Sequence, residues 1–159
     1  MKIGIMSDSH DNIPKIRAAI ELFNRQEVEL VIHAGDLVSP FAAKELRAIK
    51  SKFIVVFGNN DGERLGLARM LEDKIHLAPY QIKADDKTVL VCHEPYALKA
   101  LEQSNYYDAI IYGHTHDVDV RKVDSTQVIN PGECGGWLNG KCTVAVWDTK
   151  INEVEVVEI

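Results

Sequence analysis

Five short polar clusters, each directly after an apolar run, carry the residues of this sequence that could do chemistry. They read Asp8-Ser9-His10, Gly35-Asp36, Gly58-Asn59-Asn60-Asp61, Cys92-His93 and Gly113-His114-Thr115-His116. Carboxylate, imidazole and amide groups are ligands that hold divalent metal ions. Two such ions side by side suit attack on a phosphate ester, because they activate water and neutralise charge on the phosphate. The clusters therefore predict a metal-dependent enzyme.

Taken singly, three of the clusters have an ordinary structural explanation. The segment at Asp8 is equally typical of a helix start, Gly35-Asp36 of a turn, and residues 58–62 of a tight loop. An extended backbone at Asp8 would place its side chain and that of His10 on one side, within reach of one metal. Gly113-His114-Thr115-His116 is the more specific pattern, because alternate histidines after an apolar strand are uncommon in surface turns.

The predicted elements place these clusters at strand ends. Apolar patterns predict strands at residues 2–6, 29–32, 53–57, 88–92 and 109–112, and helices at 13–26, 41–50, 63–71 and 97–103. Parallel strands joined by helices present their carboxyl ends at one edge of a sheet, where binding sites form. Ser39 is predicted to cap the second helix.

The last part of the chain is predicted to be rich in strands. They span residues 118–123, 127–130, 142–147 and 154–157. Turn residues at Asp124-Ser125, Asn139-Gly140 and Thr149-Lys150 are typical of antiparallel hairpins. The sequence therefore predicts an α/β fold built on a mixed two-sheet β-sandwich flanked by helices.

Length, composition and charge limit the classes of function that this sequence could have. With 159 residues and no linker, we expect one domain over residues 1–159. No apolar run reaches the ~18 residues of a membrane span, and the N-terminal segment lacks a signal-peptide pattern, so a cytoplasmic protein is expected. A net charge of −6 argues against a nucleic-acid partner. Cys92, Cys134 and Cys142 lack the spacing of a thiolate metal site or a disulfide framework.

The ordered clusters resemble the signature of the calcineurin-like metallophosphoesterases, most closely their small prokaryotic phosphodiesterase branch. That signature reads DxH, GD, GN, a single His, and GHxH, and all five parts are present over essentially the full chain. Asn130-Pro131-Gly132 is similar to the segment that follows the last motif in the family. The resemblance implies the four-layer αββα fold of that family and a phosphodiesterase in which a metal-bridging hydroxide attacks phosphorus in line.

The resemblance also implies a role for each motif residue. Two divalent ions, of manganese, nickel, iron, cobalt or zinc, would be held at adjacent positions. The first would be bound by Asp8, His10, Asp36 and His116, and the second by Asp36, Asn59, His93 and His114, so that Asp36 bridges them. Asp36, His10, His114 and Asn59 are also expected to take part in catalysis.

Two departures from the family pattern bear on the substrate. Asn60 stands where many relatives have a His that protonates the leaving group, and an amide cannot act as a general acid near neutral pH. Asp61, which would orient that His, is then expected to brace the loop. Glu94-Pro95 follows His93 where close relatives have Gly-His, which places a negative charge near the substrate. A small-molecule phosphodiester is the expected substrate.

Two other functions remain open. The same fold resembles the retromer subunit of endosomal sorting, a protein-binding scaffold, in which case the metal cluster would be vestigial. A nuclease similar to the DNA-repair metallophosphoesterases is the third alternative, against which the acidic charge argues. The oligomeric state stays open, a homo-oligomer included. Trp137 and Trp147 are expected in a core or an interface, and His33 as a hydrogen-bonded residue at a strand end.

Overall fold

The computed structural model describes all 159 residues and contains two mixed β-sheets packed face to face. The first sheet has six strands in the order β11-β10-β1-β2-β3-β4. Their bounds are β1 Lys2–Met6, β2 Leu30–His33, β3 Lys52–Val56, β4 Ile75–His76, β10 Thr143–Asp148 and β11 Glu153–Glu158. Strands β1 to β4 run parallel, while β10 and β11 are antiparallel to their neighbours.

The second sheet has five strands in the order β5-β6-β7-β9-β8. Their bounds are β5 Tyr80–Ala84, β6 Lys87–Val91, β7 Ala109–Ile111, β8 Val118–Val123 and β9 Thr126–Pro131. The central strands β6, β7 and β9 are parallel, and the two edge strands are antiparallel to them. Parallel strands in both sheets bring several strand ends to the same region, which is where the predicted ligand residues are expected to meet.

Helices cover the outer faces of both sheets. They are α1 Ile13–Arg25, α2 Pro40–Ala43, α3 Arg64–Leu71 and α4 Leu98–Gln103, with 3₁₀ turns at Lys44–Ala48 and Glu72–Lys74. Helices α1 to α3 pack on the first sheet and α4 on the second, and a separate apolar cluster fills the space between the sheets. The predicted α/β fold with four layers is therefore confirmed. None of the helices combines the length and apolar character that a membrane crossing requires.

The alternation of side chains along β1 explains how this strand contributes to two apolar clusters. Ile3 and Ile5 in β1 face the cluster between the sheets, whereas Met6 belongs to the cluster beneath the helices. The period of two along a strand sends successive side chains to opposite faces. Because both faces of β1 are covered, its side chains from Ile3 to Met6 are buried throughout. This strand therefore ends at a fixed position, directly before the first polar cluster.

Several local predictions were wrong. The helix predicted at residues 41–50 is split into α2 and a 3₁₀ turn, and β4 and β5 were missed because their sequences are short and mostly polar. Ser39 precedes α2, but its hydroxyl donates to Asp11 (2.8 Å) instead of capping the helix. Asn139-Gly140 is not a hairpin turn, because β9 and β10 belong to different sheets. The hairpins at Asp124-Ser125 and Thr149-Lys150 are confirmed.

Candidate metal site

The five polar clusters meet where strands of both sheets end. The loops after β1 and β2 run side by side, with the Asp8 N–H donating to Gly35 O (3.0 Å) and the His10 N–H to Asp36 O (3.0 Å). On the second sheet, the Gly113 N–H donates to His93 O (3.1 Å) and joins the loops after β6 and β7. Backbone hydrogen bonds thus hold the loops in pairs.

Most of the predicted ligand residues adopt a left-handed backbone conformation. The φ values are +52° at Asp8, +41° at His10, +58° at Asp36, +69° at His114 and +63° at His116. The extended segment expected at Asp8 to His10 is therefore wrong. Such conformations cost roughly 1–3 kcal/mol each in non-glycine residues and concentrate at functional sites. The strain indicates that side-chain placement governs the conformation of these loops.

One group of ligand atoms comprises Asp8, His10 and His116, whose atoms all lie within 4.8 Å of one another. The Nε2 atom of His116 is 3.6 Å from Asp8 Oδ1, and Nε2 of His10 is 3.9 Å from the same oxygen. The two imidazole rings stack with their centroids 5.1 Å apart. A carboxylate and two imidazoles therefore converge on one point.

A second group comprises Asp8, Asp36 and His93, again with all ligand atoms within 4.8 Å. Asp36 Oδ2 lies 3.3 Å from Nε2 of His93 and 3.5 Å from Nε2 of His10, so one carboxylate oxygen contacts histidines of both groups. This arrangement places Asp36 between the two groups, beside Asp8, which is a member of both.

Asn59 and His114 complete the cluster. The Asn59 side-chain oxygen lies 2.9 Å from Nε2 of His93 and 2.8 Å from Nδ1 of His114. His114 belongs to neither of the two close groups, and Asn59 links its ring to the second group. The structure therefore brings all seven predicted ligand residues into one continuous cluster, with His114 at its exposed side.

Two glycines allow this close approach. Gly35 has φ +97°, and a Cβ there would lie 2.7 Å from Cγ of His93. A Cβ at Gly113 would come within 2.7 Å of Asp8 Oδ2 and would also collide with the Ser7 hydroxyl. A side chain at either position would displace a ligand residue, which explains why a glycine precedes both the Asp36 and the His114 motifs.

The two carboxylates have opposite pKa shifts. Burial raises the pKa of Asp8, because its charged form is removed from water and the hydrogen bond from Ser7 offsets this only in part. Burial also acts on Asp36, but hydrogen bonds from His93 and Asn60 outweigh it, and the pKa of Asp36 falls well below its usual value. The same contact raises the pKa of His93 against the opposing effect of burial. Asp36 is therefore the more firmly ionised carboxylate.

The donor set fits divalent metal ions. Nε2 of His10 is a buried nitrogen without a hydrogen-bond partner, and it faces both Asp8 and Asp36. Buried polar atoms normally have partners, so an orphaned imidazole nitrogen beside carboxylates suits a metal ligand. No cysteine belongs to the cluster, and mixed oxygen and nitrogen donors match transition-metal ions without selecting among them.

Glu133 is a site residue that sequence reasoning missed. Its side chain is 1% exposed, and its Oε1 lies 3.3 Å from Nδ1 of His116. The carboxylate also accepts hydrogen bonds from the backbone N–H groups of Trp137 (2.6 Å) and Leu138 (3.0 Å). Glu133 is the only charged residue between positions 125 and 140. An isolated charge in such a segment was the available signal for a buried, partnered carboxylate.

The remaining predictions about single residues had different outcomes. Trp147 is a core residue as expected. Trp137, expected in a core or an interface, is 64% exposed and therefore outside the core, and its indole N–H donates to His10 O (3.2 Å); its place in an interface stays a prediction. His33 is hydrogen-bonded as expected, with Nε2 2.9 Å from the Ser9 hydroxyl, and burial lowers its pKa to about 3. Asp61 braces its loop by accepting from the Val38 and Gly58 N–H groups, both at 2.6 Å.

Comparisons with known proteins identify the family of this chain. The family model of the calcineurin-like phosphoesterase superfamily domain matches residues 1–152. A phosphodiesterase of Methanocaldococcus jannaschii is 45% identical over 159 residues, covering 96% of each chain. Phosphodiesterase YfcE of Escherichia coli is 28% identical over 134 residues, covering 73% of this chain and 70% of the relative.

Solved structures show the same relationship. That of an archaeal phosphodiesterase superposes with a TM-score of 0.93 at 42% identity, covering all of both chains. Vps29 of Entamoeba histolytica, solved with zinc, has a TM-score of 0.69 at 17% identity and covers 100% of this chain and 98% of its own, a likeness that concerns the fold alone. The family is one of phosphoester hydrolases and implies divalent metal ions. This chain belongs to the calcineurin-like phosphoesterase superfamily.

Proposed function

We propose that this chain is a phosphodiesterase that hydrolyses a small-molecule phosphate ester with the help of two divalent metal ions. One ion would be held by Asp8, His10, Asp36 and His116, and the other by Asp36, Asn59, His93 and His114. The observation that carries this proposal is the position of Asp36, whose Oδ2 lies within 3.5 Å of histidines from both groups. Because ligands come from both sheets, residues 1–159 would act as a single domain.

The charge of the site supports phosphate chemistry. When bound, the two ions would lower the pKa of water to supply hydroxide for in-line attack on phosphorus, and would stabilise charge on the phosphate oxygens. Asp8 and Asp36 are the only carboxylates among the seven proposed ligands, so the protein's own charge does not cancel that of two divalent ions. The site would therefore attract an anionic phosphodiester.

The surroundings of Asn60 favour a diester over an alkyl monoester. Its backbone N–H and side-chain amide donate to the two oxygens of Asp36 at 2.8 and 2.7 Å. Asn60 therefore orients a ligand residue and offers no ionisable proton to a leaving group. Without a proton donor at this position, hydrolysis is easier for an ester whose leaving oxygen is a weak base. We propose that the substrate is an ester of this kind.

A protein-binding scaffold is the second candidate. The observation that favours it is the fold-level likeness to Vps29. The complete set of oxygen and nitrogen donors, gathered in one cluster, favours the enzyme. The acidic chain, with its net charge of −6, argues against a nuclease.

Metal reconstitution tests the proposed function. Protein stripped with chelator would be assayed with bis-p-nitrophenyl phosphate after adding manganese, nickel, zinc or magnesium, while bound metal is counted by elemental analysis. We expect turnover to return with a transition metal at two ions per chain and to disappear again with chelator. A folded protein that binds no metal, or binds two ions and shows no turnover, would contradict the enzyme and favour the scaffold.

A further inference from the structure

Two pockets adjoin the ligand cluster, one beside each group of ligands. A pocket of about 450 Å³ shares Asn59 and His93 with the cluster. A second pocket of about 510 Å³ shares His10 and His116 with it. Volumes of this size suit small-molecule groups. The reacting phosphate would therefore have an open space on either side of it.

The first pocket, called here the Tyr96 pocket, is lined largely by apolar side chains, among them Leu77, Tyr96 and Leu101. Tyr96 and Leu77 are 75% and 69% exposed, so both present apolar surface to a bound group. Isolated exposed apolar residues are ordinary, but several around one concavity beside reactive groups are typical of a ligand site.

The charged residues of the Tyr96 pocket balance each other. Glu94 accepts a hydrogen bond from the Tyr96 hydroxyl (2.8 Å), and the Arg64 guanidinium donates to Gly58 O (3.0 Å) and lies over the Phe57 ring. One carboxylate and one guanidinium in the same lining leave little net charge. The pocket therefore suits an uncharged group, and a second phosphate would meet Glu94.

The second pocket, called here the Trp137 pocket, has an apolar wall of Trp137 and Leu138, which are 64% and 73% exposed. These side chains are nevertheless held in place. The Trp137 indole N–H donates to His10 O, and the buried carboxylate of Glu133 accepts from both backbone N–H groups. An exposed apolar wall fixed by a buried charge is ready to receive a ligand without reordering.

We propose that each pocket receives one of the two ester groups of a phosphodiester, so that the substrate class is a diester with two uncharged arms of at least aromatic-ring size. This inference rests on the proposed function. Hydroxide, formed from water whose proton passes to solvent, would add to phosphorus. One ester P–O bond would break with its electron pair on the departing oxygen, which would leave as an oxyanion with its arm from one pocket. The other arm would remain on the phosphomonoester product in the second pocket.

Two substrates with the same leaving group test this assignment. Bis-p-nitrophenyl phosphate has two aryl arms, whereas in methyl p-nitrophenyl phosphate the retained arm is reduced to a methyl group. Metal-loaded wild-type protein would be compared with Tyr96→Ala and Trp137→Ala. Tyr106→Ala is the matched control, because Tyr106 is also exposed, at 64%, and lines neither pocket.

The two pockets should respond differently. Loss of the wall that contacts the retained arm should lower kcat/KM for the bis-aryl substrate alone, by about threefold to tenfold, the value of one aromatic contact. Loss of the wall that contacts the leaving arm should lower kcat/KM for both substrates by a similar factor. We expect one variant to show each pattern, while Tyr106→Ala leaves both substrates unchanged.

Other outcomes would overturn the inference. If neither variant differs from Tyr106→Ala, or if both show the same pattern, the pockets do not hold separate arms. Trp137→Phe keeps the ring and removes its hydrogen bond to His10 O, so a loss equal to that of Trp137→Ala would assign the effect to loop support and contradict an arm-binding role. Absence of metal-dependent turnover in the wild-type protein would instead refute the proposed function, and the inference with it.

Discussion

The two sheets contribute to the site in different ways. The loops of the first sheet supply Asp8 and Asp36, which are 0% and 1% exposed and accept hydrogen bonds from the backbone N–H groups of His114 and Asn60. The loop after β7 in the second sheet supplies His114 and His116, which are more exposed. The base of the site, to which His93 of the second sheet also belongs, is thus buried and contains both carboxylates, whereas the rim is more open and is lined by histidines.

This difference indicates that the buried base and the exposed rim have different roles. A buried carboxylate loses its hydration, and it regains stability when cations bind beside it. The exposed rim leaves room for ligands to exchange and for substrate to enter. We therefore expect substitutions in the buried base to affect metal binding and catalysis most, and substitutions that act through the rim to have smaller effects.

Asp36→Asn should have the largest effect of any single change. The amide keeps the shape of the side chain but removes the charge between His10 and His93, so both proposed metal positions are weakened. Loss of several kcal/mol of charge stabilisation corresponds to roughly 10³-fold or more in kcat/KM. Elemental analysis after gel filtration should show fewer than two ions per chain.

The matched control is Asp86→Asn, because the Asp86 side chain is 83% exposed and lies outside the cluster. It should retain wild-type turnover and metal content. If Asp36→Asn kept two ions and full activity, the base of the site would not carry the function and the comparison between the sheets would fail.

Glu133→Gln should have an intermediate effect on metal affinity, because Glu133 acts on the proposed ligand His116 at the rim. Glutamine keeps the shape of the side chain but has a single acceptor oxygen, so it retains only part of the hydrogen bonding to the N–H groups of Trp137 and Leu138, and it places no charge beside Nδ1 of His116. A carboxylate behind a metal-bound histidine orients its ring and raises its basicity, and loss of such a partner typically costs 10–100-fold in metal affinity. Competition titration with a chelator should show weaker binding of one of the two ions.

Glu153→Gln is the control for this change, since Glu153 is exposed on β11. A lower melting temperature of Glu133→Gln than of Glu153→Gln without metal would measure the lost backbone hydrogen bonding separately from the change in metal affinity. A Glu133→Gln protein that binds both ions as tightly as wild type would show that Glu133 only holds its loop, and that the rim does not influence the metal.

Local sequence information predicted the positions of the ligands but not their conformations. Polar motifs directly after apolar runs located Asp8, Asp36 and His93, because strands and their ends follow from residue type over a few positions. The pairing of β1 with β10, nearly the whole chain apart, depends on contacts that no local pattern encodes. The left-handed backbone at Asp8 and the burial of Glu133 arise only after both sheets have packed.

His33→Gln should have little effect on activity and a measurable effect on the pH dependence of stability. His33 lies beneath the ligand loops, 1% exposed, with its Nε2 against the Ser9 hydroxyl, and it belongs to neither group of ligand atoms. Burial lowers its pKa to about 3, so the folded protein keeps this side chain neutral near pH 5. The first sheet therefore buries a neutral imidazole under its ionised carboxylates.

The sign of the effect follows from proton uptake by the unfolded chain. An unfolded histidine binds a proton below about pH 6.5, whereas folded His33 does not, so stability is present above that pH and falls as the solution is acidified. Between pH 6.5 and 5 this single group should remove roughly 1.5 kcal/mol of unfolding free energy. Urea denaturation of chelated wild-type protein and His33→Gln across this range would measure the difference, because the other titrating groups are common to both. Parallel stability curves would mean that His33 takes up a proton in the folded state. Water would then have access to the buried base of the site, contrary to what its packing indicates.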